Sequence, residues 1–256
     1  MPIELPPASD LPPRIRWVTL STARIEEERA WWVGALGLTR TPGAPDGGFA
    51  VAIGDGVLAF RPIDEGHPSL ARGGPCHHVA LEVAPDRLVE AARWLRGASP
   101  LLTVDDGETI VDFPAWAAHS VYAVTPAGHV VELIARHRRP WEPEPASDGG
   151  APGGPGLIRG LSEVGVCAPD VSALVDRLAG LGIPTWFGDP QSGFAAAGDE
   201  AGLLICVREW RPWFPTDRPA VPGPIAIAIE GVPGLHADEP VPIGSATELR
   251  GMPTLG

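Results

Sequence analysis

The chain of 256 residues repeats itself, and that repeat limits the fold more than any other feature. Three segments read alike: Ile15–Ala23, His77–Pro85 and Ser162–Pro169. Each is a short, mostly alternating apolar run that ends in a turn and leads into a helical pattern. A fourth run, Pro224–Glu230, has the same apolar register. The helices predicted after the first three are Arg24–Leu36, Pro85–Arg96 and Asp170–Leu181. Gly37 and Gly182 close two of them, where a left-handed cap favours glycine. Two or three short strands follow each helix, and Gly56–Phe60, Gly128–Glu132 and Gly202–Cys206 end the units in matching fashion. The unit is β-α-β-β-β and the fold class is α+β.

Spacing groups the units in pairs. Trp17 and His78 hold one position in their strands and lie 61 residues apart, as do Glu163 and Pro224. His78 and Glu163 lie 85 residues apart, and the interval contains the Pro/Gly-rich stretch 140–155, which reads as a linker. The expected organisation is one paired-unit domain over 14–138, a linker over 139–156, and a degenerate, truncated pair over 157–256. Truncation is inferred because the fourth unit's last strand, counted from the second, would fall near position 278.

These residues resemble the vicinal oxygen chelate superfamily of glyoxalase I, fosfomycin-resistance proteins, extradiol dioxygenases and bleomycin-resistance proteins. The resemblance is carried by Trp17-Val-Thr-Leu, Ala30-Trp-Trp-Val-Gly-Ala-Leu-Gly-Leu38, His78-Val-Ala-Leu and, most specifically, His119 through Leu133. It implies an eight-stranded, incompletely closed barrel around a pocket, formed by paired units. It also implies metal ligands at the first strand of each unit and the last strand of the second. Those positions are Trp17, His78 and Glu132, and an indole is only a donor and cannot ligate a metal. In the second pair the equivalent positions are Glu163 and Pro224.

With two ligands of three, the expected function is small-molecule binding in a barrel pocket without a complete metal site, Trp17 filling the space of an ion. The alternative is a divalent-metal lyase, isomerase or ring-cleaving dioxygenase that uses His78 and Glu132, with Mn, Fe, Ni or Zn and with Glu132 as a base. The candidate pocket residues are Trp17, His78, His119, Glu132 and Trp213, His119 being a substitute third ligand. Trp213 belongs to Trp210–Asp217, a stretch with two indoles, a Phe and Arg211 that could line a cleft or cover an open barrel edge. Arg136, Arg138 and Arg139 read as a solvated cluster, Cys206 as a buried small hydrophobe, and His129 as structural.

Composition narrows the chemistry. All 19 basic residues are arginine, which excludes Schiff-base chemistry and a lysine-bearing phosphate loop. The net charge of −13, with no basic block, argues against nucleic acid and suits a cationic small molecule. Three dispersed cysteines make no disulfide framework. No signal-peptide pattern or long apolar run is present, so the expected compartment is the cytoplasm and no membrane is expected as partner. Besides the small-molecule ligand, a second copy of the chain is the candidate partner, pairing through the truncated half.

Overall fold

The computed structural model describes residues 12–104, 107–139 and 154–252. Four units follow one another. The first holds β1 (Arg14–Thr22), α1 (Ile25–Arg29) running into a π-helical turn at Ala30–Ala35, β2 (Phe49–Ile53) and β3 (Gly56–Pro62). The second holds β4 (His78–Val83), α2 (Leu88–Ala98), β5 (Val111–Phe113), β6 (Ala118–Val124) and β7 (Val130–Arg136). The third holds β8 (Ile158–Ala168), α3 (Val171–Gly180), β9 (Thr185–Asp189), β10 (Phe194–Asp199) and β11 (Gly202–Arg208). The fourth holds β12 (Ile225–Glu230), β13 (Val241–Ile243) and β14 (Thr247–Gly251).

In every unit the first strand pairs in parallel with the last: β1 with β3, β4 with β7, β8 with β11 and β12 with β14. The helices fit their sequence. In α3 Asp170 caps the first turn by accepting from the Ala173 amide at 3.1 Å, while Val171, Leu174, Val175 and Leu178 bury one stripe. Gly182 follows with φ +91°, a conformation that side chains rarely adopt.

The units pair differently from the expected order. Antiparallel seams join β1 to β12 and β4 to β8, so unit one pairs with unit four and unit two with unit three. The result is a six-stranded sheet, β13-β14-β12-β1-β3-β2, and an eight-stranded sheet, β5-β6-β7-β4-β8-β11-β10-β9. The fourth unit also finishes within the chain. A loop replaces its helix, so its last strand falls at Thr247–Gly251 and not near 278. Most of the predicted linker, 140–153, lies outside the described residues.

The eight-stranded sheet curls into a half-barrel whose open side is spanned by aromatic rings. Trp116, before β6, meets Trp186 and Phe187 of β9 at centroid distances of 4.9 and 5.5 Å. Such edge-to-face contacts add to simple area burial. Among the described residues, no helix is long and apolar enough to cross a membrane.

Candidate metal centre and cavity

The inner face of the half-barrel is set by strand alternation. Ala80 of β4 pairs with Glu132 on one side and with Glu163 on the other. That register brings two carboxylates towards His78, two residues before Ala80 on the same face. His78 Nε2 lies 3.5 Å from Glu132 Oε2 and 3.7 Å from Glu163 Oε2. Ligand atoms of all three groups fall within 4.8 Å of one another, and all three are buried.

These groups form the floor of a cavity of about 250 Å³. Ile205, the β11 counterpart of Glu132 by register, lies beside them, so a fourth ligand position is apolar here. Tyr122, Ile134 and Val207 continue the lower wall. Trp213 forms a lid over the imidazole, with ring centroids 5.4 Å apart, and its indole N–H donates to the Cys76 carbonyl at 2.9 Å. Phe214 turns back onto Phe113 and Tyr122.

Gly165 makes room for the lid, since a Cβ there would lie 2.4 Å from the Trp213 ring. Gly165→Ala is therefore expected to push the indole off the Cys76 carbonyl, at about 1–3 kcal/mol as for other overpacked sites. A red-shifted tryptophan emission with a lowered Tm checks this, and an unshifted spectrum contradicts it.

Behind the floor stands Arg136, which is fully buried. Its Nη2 donates to Glu163 Oε1 and its Nε donates to Ser162 Oγ at 3.2 Å. Its guanidinium faces the rings of Trp116 and Trp186 at 5.7 and 6.0 Å. Glu163 therefore turns one oxygen to arginine and the other to His78.

No protein-family model matches the chain, and no curated protein matches it by sequence. Solved structures do. A Bacillus subtilis protein described as a dioxygenase superposes over 88% of this chain and 71% of its own, with 16% identity and a TM-score of 0.50. Glyoxalase I from Zea mays overlaps 85% of this chain and 74% of its own, at 14% identity and a TM-score of 0.49. A Nocardioides glyoxalase/bleomycin resistance protein/dioxygenase covers 52% of this chain and 89% of its own, at 21% identity and 0.39. The chain has the vicinal oxygen chelate fold.

Within this vicinal oxygen chelate fold, His78, Glu132 and Trp213 line one cavity, and two other candidates do not. Trp17 belongs to the six-stranded sheet, where its indole N–H donates to Thr19 Oγ1 at 2.9 Å and its ring lies over Gly43. It fills no space between His78 and Glu132, because unit one does not pair with unit two. By register, the positions matching the site in units one and four are Trp17, Ala59, Ala226 and Arg250, a set without a metal ligand. Ala226, not Pro224, is the counterpart of Glu163. His119 is half-buried on β6, with Nδ1 2.7 Å from His137 Nε2 and Nε2 3.6 Å from Asp112. It stays on the outer side and supplies no third ligand.

Two residues of the site were missed as such. Glu163 was legible as the first-strand counterpart of His78, but only the seam between units two and three makes it a neighbour. Arg136 is buried and not solvated, and its neighbours in the cluster also pair with acids, Arg138 with Glu200 and Arg139 with Glu82. Cys206 is buried in the core, and burial pushes its thiol up to about 12.

Electrostatics on this floor are strained by burial. Burial and then the Glu163 charge push Glu132 up to about 7, against the pull of His78. Burial disfavours a charged His78, but the facing Glu163 and Glu132 outweigh it and raise its pKa. Burial and the two carboxylates hold Tyr122 well above the ordinary phenol value, so it remains a hydrogen-bond donor.

Proposed function

We propose that the chain is a divalent-metal-dependent protein of the glyoxalase/dioxygenase type, acting on a small molecule in the aromatic cavity. The observation that carries this is the buried His78, Glu132 and Glu163 cluster. Its fit to an ion rests on the donors themselves. At 3.5 and 3.7 Å, His78 Nε2 makes no close hydrogen bond to either facing carboxylate oxygen, and the three groups converge on one point. They approach the ~3.0–3.4 Å spacing of ligands held at ~2.1 Å around one cation. One imidazole and two carboxylates suit Mn, Fe, Ni or Zn. The expectation of an incomplete site rested on Trp17 standing at the third ligand position, and Glu163 offers a carboxylate as third ligand in its place.

His78, Glu132 and Glu163 would hold the ion, which when bound supplies Lewis-acid polarisation of a substrate oxygen. Arg136 fixes the Glu163 carboxylate and offsets part of its charge. Glu132 faces the cavity and would accept a proton only when released from the ion. Trp213 and the aromatic wall exclude water from the floor.

Elemental analysis of protein purified without chelator or metal-affinity resin tests the reading. Near-stoichiometric Mn, Fe, Ni or Zn is expected, with at least tenfold weaker binding after His78→Ala or Glu163→Ala and no change after Trp17→Phe. Protein that neither carries nor takes up these ions more tightly than buffer would return the site to metal-free ligand binding, with Arg136 as the partner of Glu163.

A further inference from the structure

The cavity is chemically polarised. Its deep end holds all the acid it has, Glu132 and Glu163, while its upper part is ring upon ring with one cation, Arg211. Arg211 makes no ion pair among the described residues. Its guanidinium lies over Phe194 at 5.6 Å, and its Nη1 makes only a long 3.5 Å contact with the Ser192 carbonyl. Three arginines of the half-barrel each have an acid: Arg136 has Glu163, Arg138 has Glu200 and Arg139 has Glu82. A guanidinium that lines a cavity without a carboxylate is available for an anion that enters it.

The charge of the floor points the same way. Arg136 offsets one of the two carboxylates, so a divalent cation there leaves the deep end net positive. The chain as a whole carries −13, yet a loaded cavity has positive charge at both ends. The cationic ligand suggested by the net charge is therefore disfavoured at the buried floor, where distances are short and water is scarce, and the exposed Arg211 at the other end adds to this.

Size fixes the scaffold between those ends. An apolar cavity of about 150 Å³ accommodates benzene. The 250 Å³ here takes one substituted ring or a compact bicycle. The rings of Trp213, Phe214, Phe113 and Trp116 offer it faces and edges.

We propose that the site selects an aromatic anion, with its oxygens towards His78, Glu132 and Glu163 and its acidic group on Arg211. The floor contact rests on the metal-dependent reading above; the Arg211 contact does not. Arg211 is then a specificity-determining residue, outside the ligand set of the metal.

The test compares 3,4-dihydroxybenzoate with catechol, which lacks the carboxylate. Binding is followed by quenching of tryptophan emission in Zn-loaded and in metal-free protein. Wild type is expected to bind the carboxylate at least tenfold more tightly, as one charge-assisted hydrogen-bond pair provides. Arg211→Ala should equalise the two probes without weakening catechol, and Arg211→Lys should keep part of the preference. Equal affinities in wild type, a preference that survives Arg211→Ala, or no binding of either probe at millimolar concentration overturns the proposal. A preference that depends on Arg211 but not on Zn sustains this site and counts against the metal reading. Zn-dependent binding of both probes with no preference does the reverse.

Discussion

Replacing Arg136 by methionine is expected to cost the metal-free protein about 3–5 kcal/mol, the range for removing one partner of a buried ion pair. Arg136 is fully buried and Glu163 is 3% exposed, so the orphaned carboxylate could not recover its hydration. At the ~2–4 °C per kcal/mol typical of chains this size, Tm should fall by roughly 6–20 °C. Two companions identify the cause. Arg136→Met with Glu163→Gln should recover most of the loss, since no buried charge remains. Saturating Zn or Mn should also recover part of it, because a cation at the floor replaces the missing positive charge. A loss below ~1 kcal/mol, or one that neither companion relieves, would mean that Arg136 acts by packing between Trp116 and Trp186.

Acid should unfold this protein through histidines outside the site. His77 and His129 stand side by side, buried, with the His77 amide donating to His129 Nδ1 at 3.2 Å. Burial, then the neighbouring Arg218, lowers His129 to about 3; burial and then His129 hold His77 well below its ordinary value. Both pKa values are depressed on folding, so the unfolded chain binds more protons as pH falls. Stability is intact above pH 6.5 and is lost between 6.5 and about 3. At about 1.4 kcal/mol per pH unit, His129 alone contributes on the order of 5 kcal/mol. In metal-free protein, the form to be melted here, Glu132 opposes this between pH 7 and 4.5, because its raised pKa makes the folded chain the better proton binder there. Glu28 and Glu82, raised by burial, act in the same sense. Tm should therefore change little from pH 7 to about 4.5 and fall steeply below. His129→Gln, which keeps an acceptor near the His77 amide, should flatten the acid limb. Melting curves at pH 7, 4.5 and 3.5 decide it: if the variant tracks wild type in acid, His129 is not the cause.

Much of the architecture was legible because it is written in local patterns. The alternating runs at Ile15, His77, Ser162 and Pro224 became β1, β4, β8 and β12 within a few residues, and the apolar stripe of 171–178 became α3. Seam choice was not legible. A first strand such as β4 has the same apolar register whether its antiparallel partner is β1 or β8, so alternation carries no address. Counting from Gly128 to Glu132 likewise placed Cys206 at the matching β11 position, where pairing places Ile205, one residue earlier and on the cavity face. The shift lies in the turn: unit two takes four residues from its glycine to the matching position where unit three takes three. The burial of Arg136 is hidden in the sequence for a related reason. Exposure cannot be read from a basic run when alternate side chains of a strand point to opposite sides of the sheet.

The nested pairing orders the chain's entropy as well as its chemistry. The seam that builds the site, Ala80 to Glu163, closes a loop less than half as long as the outer one, where Arg16 reaches Glu230 across 214 residues. Between two flexible loops of those lengths the difference is only roughly 1 kcal/mol, since closure entropy grows with the logarithm of length. Formation of the inner seam, however, turns most of the outer loop from coil into a compact body. With that centre in place β1 and β12 have less chain entropy left to lose, so the outer seam is expected to form after the inner one.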